Sequence, residues 1–386
     1  MKEQDQILEM LQKGKITIEE AKELLNALDY EEPINKKNKN IISFDVDKAK
    51  EGFQGIEKSV NDFIKTTFAT IFDKDFTFQI KGKFDLFQKL FKVDISNMKN
   101  PELFIYNRNG SVQLEESDDD ELNINVKVHY KNMENFEESD FFTFENDGEH
   151  ISFKSKKPSE NEQFYLEIVA QIPSREFSNI VVDTTNAPIF AEDILASKLD
   201  LSTTNGKIRL EDSNVDELSI TTSNGPINIE DTTGSVANVK SSNSKIFIED
   251  ISFDEFKGKT SNGRINGENL DFADLKLHTS NGSILLENLS TDRLKKASLK
   301  SSNGDLSMEL GNLKRRANFD LATTSGRINL NIPVEMKSNS QKDTYSYNKH
   351  IVASTTHFEE EEGNAIDFVL ATANANINIE DNKNID

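Results

Sequence analysis

Leu199–Glu211, L-D-L-S-T-T-N-G-K-I-R-L-E, is the stretch whose reading decides the fold. With Asn205 as zero, Leu199, Leu201 and Thr203 stand at −6, −4 and −2, Ile208 and Leu210 at +3 and +5, and Glu211 at +6. The template recurs around Asn186, Asn224, Asn243, Asn262, Asn281, Asn303, Ser325 and Asn374. From Asn186 to Asn281 each step is 19 residues, and the next two are 22. A fixed period of this size marks stacked repeats, each burying its apolar face on its neighbours.

Strand side chains alternate, so −6, −4 and −2 point one way, the chain turns, and +3 and +5 point inward from a second strand. The expected turn is the Asn-Gly pair: Asn205-Gly206, Asn224-Gly225, Asn262-Gly263, Asn281-Gly282 and Asn303-Gly304 are read as structural corners that tolerate positive φ. Position +3 is Ile or Leu in every copy and −2 is Thr or Ser. Identical stacked coils show such columns, with hydroxyls bonding the backbone and the asparagines forming an amide ladder. The expected fold is mainly β, a single-stack β-solenoid of about 19-residue coils after a helical N-terminal region. A sandwich of antiparallel hairpins is the competing architecture. The Asn262 coil is expected to be weakest, because Gly258 and Gly267 occupy inward positions.

Working outward, residues 1–30 read as a helical hairpin. Ile7, Leu8 and Leu11 form one stripe, Gly14 breaks it, Thr17 and Glu20 make a capping box, and Ala21, Leu24, Leu25 and Leu28 form the second. So little apolar surface must pack on something, which makes Leu8, Leu11, Leu24, Leu25 and Leu28 candidates for docking or for a homo-oligomer. A polar linker follows at 31–47. Residues 48–92 read as an amphipathic helical, Phe-rich segment in which 48–72 keep helical spacing and Phe76, Phe78 and Ile80 alternate as in a strand, with nine Lys against six Asp or Glu over the whole. Peripheral membrane contact and a cap on the solenoid end are the two readings of this segment. Residues 93–180 read as irregular β-structure that begins the stack, with a tenth template around Asn109 and a hairpin at Asn146-Asp147-Gly148. The repeats fill 181–386, interrupted by a polar insertion at 332–364 that reads as a loop off the rod.

The repeated [ST]-[ST]-N-G-x-[IL]-x-[ILV] resembles the bacterial candidate-adhesin β-solenoid family of unknown function, in particular its YvlB-like and LiaX-like members. The pattern I-L-x-M-L-x-x-G-K-I-T-x-E-E-A-x-x-L-L-x-A-L resembles the SHOCT-like helical module. The resemblance implies a role in Gram-positive cell-envelope stress and antimicrobial peptide responses, where such proteins bind or sense. It carries no catalytic residues to transfer.

The composition excludes several chemistries. There is no Cys, hence no disulfide, thiolate metal site or Cys nucleophile. The five His are scattered, and no metalloprotease, dinucleotide or Walker signature occurs. No enzyme, cofactor or metal is expected. A net charge of −23 argues against nucleic acid and favours a cationic partner. Neither a signal peptide nor a membrane span is encoded, so the expected location is cytoplasmic, or peripheral to the membrane or surface by a non-classical route.

The +6 column is the candidate site: Glu192, Glu211, Glu230, Glu249, Glu268, Glu287, Glu309 and Glu380, with Asn331 the exception. In stacked coils the carboxylates lie about 4.8 Å apart and repel by roughly 0.9 kcal/mol per pair in unscreened water. Cations at +2 (Lys207, Lys245, Arg264, Arg327) and −3 (Lys240, Lys259, Lys300) are expected to offset this in part. The column is either a solubilising guard against aggregation or an acidic rail for cationic peptides, Ca²⁺ or a basic protein surface. A self-associating, adhesin-like scaffold is the alternative function.

Overall fold

A computed structural model describes residues 84–117, 120–133, 135–159, 162–341, 349–356 and 365–381. The expected hairpin at 1–30 with its leucines, the linker, residues 48–83, His357 and Glu359–Glu362 lie outside the described residues.

Each template copy forms one coil of two strands. In the Asn205 coil these are Leu195–Thr203 and Ile208–Glu211. Strands before the corner pair in parallel with their counterparts in adjacent coils, as Leu199 with Ile180 and Leu218. Strands after the corner do the same, as Ile208 with Ile189 and Ile227. Parallel pairing between coils, rather than antiparallel pairing within them, makes this a β-solenoid with two facing layers and rules out the sandwich. Two strands, Ile246–Lys259 and Ile265–His278, run through the far corner unbroken and join the layers.

The core is a set of columns. Position +3 is buried at Ile189, Ile208, Ile227, Ile246, Ile265, Ile284, Leu306 and Ile377, and only the end coil leaves its Ile328 half-buried. At the Asn262 coil the inward space beside Gly258 and Gly267 is closely lined. A Cβ on Gly258 would meet Leu277 Cδ2 at 2.7 Å, and one on Gly267 would meet Leu270 Cδ1 at 2.6 Å. The rings of Phe253, Phe256 and Phe272 are fully buried nearby. Neighbouring large side chains occupy the volume beside these two glycines.

The corners work differently from the positive-φ expectation. From the Asn186 coil to the Asn303 coil, positive φ occurs not at the Asn-Gly pair but at the opposite corner, at Asp193, Asp212, Asp231, Asp250, Asn269, Asn288 and Asn312, with φ between 46° and 60°, whereas the tenth template keeps it at Gly110, with φ 127°. Short Asp and Asn side chains are the non-glycine residues that best tolerate this region. Glycine is required at the Asn-Gly corner by close approach: a Cβ on Gly282 would lie 1.7 Å from the Gly263 carbonyl oxygen of the preceding coil. The −2 hydroxyl then fastens the corner. Thr279 Oγ1 accepts from Gly282 N–H at 3.1 Å and donates to Gly263 O at 3.0 Å.

Spatial order departs from chain order at both ends. The Asn374 coil (Ile366–Thr372 and Ile377–Asp381) lies between the Asn303 and Ser325 coils. Likewise Glu102–Asn107 and Gly110–Ser117 lie between the Asn186 coil and the strands His150–Ser155 and Gln163–Pro173. The segment read as a loop off the rod contributes two strands, Val334–Gln341 and Lys349–Thr355, the second pairing antiparallel with Ala317–Thr323. They lengthen the sheet beyond the last coil, so this part of 332–364 is end structure. The strand Ile377–Asp381, the last one described, is paired on both sides.

At the other end, Asp85–Asp94 is a strand, correcting the helical reading of 48–92 where that segment is described. It pairs antiparallel with Glu121–Lys131. Phe91 stacks on Phe144 at 4.2 Å, and Phe87 lies against Phe136 and Phe141. The alternating Phe142–Asn146 and His150–Ser155 form the expected hairpin, with Gly148 at φ 93°.

Candidate functional site

The far corner carries the candidate site. The strands Ile189–Glu192, Ile208–Glu211 and Ile227–Glu230 end in Glu at +6, and from Glu192 to Glu287 that Glu is followed at +7 by a positive-φ residue, so two columns run side by side over these coils. The glutamates are in register: Glu192 with Glu211, Glu230 with Glu249, Glu249 with Glu268, Glu268 with Glu287, and Glu309 with Glu380. Beside them stand Asp193, Asp212, Asp231 and Asp250, then Asn269 and Asn288. Four consecutive coils therefore present a Glu-Asp pair each, an acidic ledge twice as dense as the single column. Sequence reasoning missed the second column, although the dipeptides E-D at 192–193, 211–212, 230–231 and 249–250 are visible in the chain.

Crowding shows in the proton affinities. Burial pushes the Glu211 carboxyl up to about 7; Arg209 pulls against this, while Glu230 and Glu192 add to it. Asp231 is raised by burial and then by Asp212, Asp250 and Glu230. Glu249 is raised by burial and then by Glu268, Asp250, Glu230 and Asp231. A site that holds carboxylates above their ordinary values gains when a cation arrives, because the charged form is what the cation stabilises.

One compensating cation stands outside the expected columns. Arg209, at +4 on the strand itself, pairs with Glu211 and reaches Glu230 at 3.7 Å, its guanidinium 5.9 Å from the Phe190 ring centroid. Lys240, Lys259 and Lys300 lie on the other layer and form no ion pair with the column among the described residues.

The asparagines line the opposite corner. Asn205 Nδ2 donates to Asn186 Oδ1 at 2.7 Å, and the same bond links Asn224, Asn243, Asn262, Asn281, Asn303 and Asn374 to their neighbours at 2.7–2.8 Å. With amide donor and acceptor both engaged along the stack, these corners hold coils together. The residues match the Toastrack DUF4097 family over residues 100–356, about two-thirds of the chain. The chain belongs to the Toastrack DUF4097 family. Residues 2–32 of this Toastrack chain match the SHOCT-like domain. No curated protein sequence matches it. A crystal structure of a candidate cell adhesion protein from Clostridium sporogenes is similar at 9% identity, over 77% of this chain and 100% of that one, with a TM-score of 0.22, too low to carry an argument.

Among the described residues of the Toastrack chain, no group of three or more His, Asp or Glu is placed to hold a metal ion. His350 bonds Asp320 at 2.6 Å. No helix among the described residues is long and apolar enough to cross a membrane.

Proposed function

We propose that this Toastrack protein is a non-catalytic binding rod of the bacterial cell-envelope stress response, akin to YvlB-like and LiaX-like proteins, and that its acidic ledge takes a cationic peptide or a basic protein surface. One observation carries the reading: eight carboxylates, Glu192 to Asp250, stand in two adjacent columns at the pitch of a β-sheet. An extended cationic peptide meets one carboxylate pair per coil, and each contact relieves like-charge repulsion already present in the free protein.

Replacing Glu211, Glu230, Glu249 and Glu268 by Gln and measuring binding of an oligo-lysine peptide tests this. Four half-exposed contacts worth about 0.2–1 kcal/mol each predict a loss of about fourfold or more, with a shallower salt dependence. Unchanged, salt-insensitive binding overturns it.

The second reading, a self-associating scaffold, is favoured by the strand Ile328–Asn331, which among the described residues pairs on one side alone, with Ile377–Asp381. Concentration-dependent sedimentation separates the two.

A further inference from the structure

The outer face of the layer before the Asn-Gly corner changes character along the stack. In the Asn186 and Asn205 coils it carries Asp183 and Asp200. In the Asn224 coil the same positions are Ser219 and Thr221. Over the next four coils they become cationic. Position −3 is Lys240, Lys259, His278 and Lys300, each in register with the next. Position −5 adds Lys257 and Lys276, also in register. Beyond them the Asn374 coil offers Val369 and Ala371. The five lysines are exposed and His278 half-exposed. Lys257 pairs with Glu255 at 3.0 Å. Lys240, Lys259, Lys276 and Lys300 have no ion pair among the described residues.

We infer that this strip is a binding surface for a linear phosphate polymer lying along the stack axis. The −3 column spans three inter-strand steps, about 14 Å, and the −5 column runs beside it about 7 Å away. It is a flat array without a pocket, so a single phosphate finds only exposed ammonium groups, each worth about 1 kcal/mol or less. A polymer engages several at once and gains from release of its counterions. Lys suits phosphate because its ammonium is a point charge that approaches a tetrahedral oxyanion from any side.

Another occupant fits less well. A membrane surface calls for apolar side chains beside the cations, and the large hydrophobic residues exposed among the described residues, Leu195, Leu285 and Met336, lie outside the strip. The strip and the ledge lie on different layers, so this inference does not rest on the ledge binding anything.

The fold itself supplies fitting substitutions, since Ser219 and Thr221 already occupy the two columns one coil away. The test compares the full chain with the variant K240T/K257S/K259T/K276S/K300T for binding of inorganic polyphosphate across a salt series. The expected result is a loss of at least about tenfold and a salt slope shallower by about 3 to 4, at roughly 0.7 per lost contact. The E211Q/E230Q/E249Q/E268Q variant keeps full polyphosphate binding. A local readout is His278, whose imidazole is held below its ordinary value by burial and then by Lys259 and Lys300. Bound polyphosphate reverses that repulsion, so the His278 titration followed by NMR moves upward in the full chain. Polyphosphate binding unchanged in the lysine variant overturns the inference. So does equal, lysine-dependent binding of phosphatidylglycerol vesicles, which assigns the strip to a membrane. Lysine-dependent self-association without polyphosphate binding overturns it in favour of a second copy.

Discussion

Asn224 donates its side-chain amide to Asn205 Oδ1 at 2.7 Å, and the Asn224 carbonyl accepts from Asn243 at 2.8 Å. Each rung is therefore both donor and acceptor. Asn224→Ala removes two bonds at once and is expected to cost about 1–2 kcal/mol, reduced by exposure to water. Urea denaturation measures this, and a variant as stable as the parent would mean that the ladder is decorative.

Glycine at the corner is a steric requirement between coils. Gly282→Ala places a Cβ within 1.7 Å of a backbone oxygen and is expected to destabilise by about 1–3 kcal/mol. Ser244→Gly, at a corner that already carries a side chain, is expected to change stability little. Paired thermal melts distinguish them; equal effects would show that the Gly column is not set by close approach.

Arg293 holds the 22-residue step between Asn281 and Asn303. Its guanidinium bonds Asp254 Oδ1 at 2.7 Å, Asp271 Oδ2 at 2.9 Å, Ser252 Oγ at 2.8 Å, and the Phe253 and Asp271 carbonyls at 2.9 Å. Arg293→Ala is expected to cost about 2–3 kcal/mol, because the partners lose charge-assisted bonds. Arg293→Lys recovers only part of this, lacking the planar fork. Full recovery in Lys would place the effect in charge alone.

Glu211 gives the fold a pH dependence of known sign. Its folded value of about 7 exceeds the ordinary 4.5, so folded protein holds that proton more readily than unfolded chain. The contribution is fully present below about 4.5 and is lost as pH rises through about 7. Glu211→Gln is expected to flatten the stability profile between pH 5 and 7, measured by denaturation at each pH. An unaltered slope would assign the dependence to other groups.

The columns were legible because the period is strict: +3 aliphatic and −2 hydroxyl positions recur wherever the template does, and the structure buries both. Why glycine follows asparagine was not, since a positive φ and an inter-coil approach ask for the same residue. Asp85–Asp94 misled for a related reason. Its apolar residues at 86, 87, 90, 91 and 93 suit a helix, and only the partner strand Glu121–Lys131 makes it extended. At the candidate site the glutamates could be named one by one, whereas the flanking aspartates were hidden because alternation says nothing about a residue at a bend. Lys240, Lys259 and Lys300 were read as counter-ions to the glutamates, since a linear sequence does not say which layer a column faces.

The placement of the Asn374 coil bears on how the protein is made. Residues 366–381 leave the ribosome after 317–331, yet they form the layer on which 317–331 rest. A nascent chain stopped before Ile366 has a vacant slot inside the stack, with Lys296–Lys300 and Ala317–Thr323 each missing a partner. Such a chain cannot simply end one repeat early, as an ordinary solenoid can. The topology thus acts as a check on completeness, in which synthesis must pass Asp381 before the rod can close.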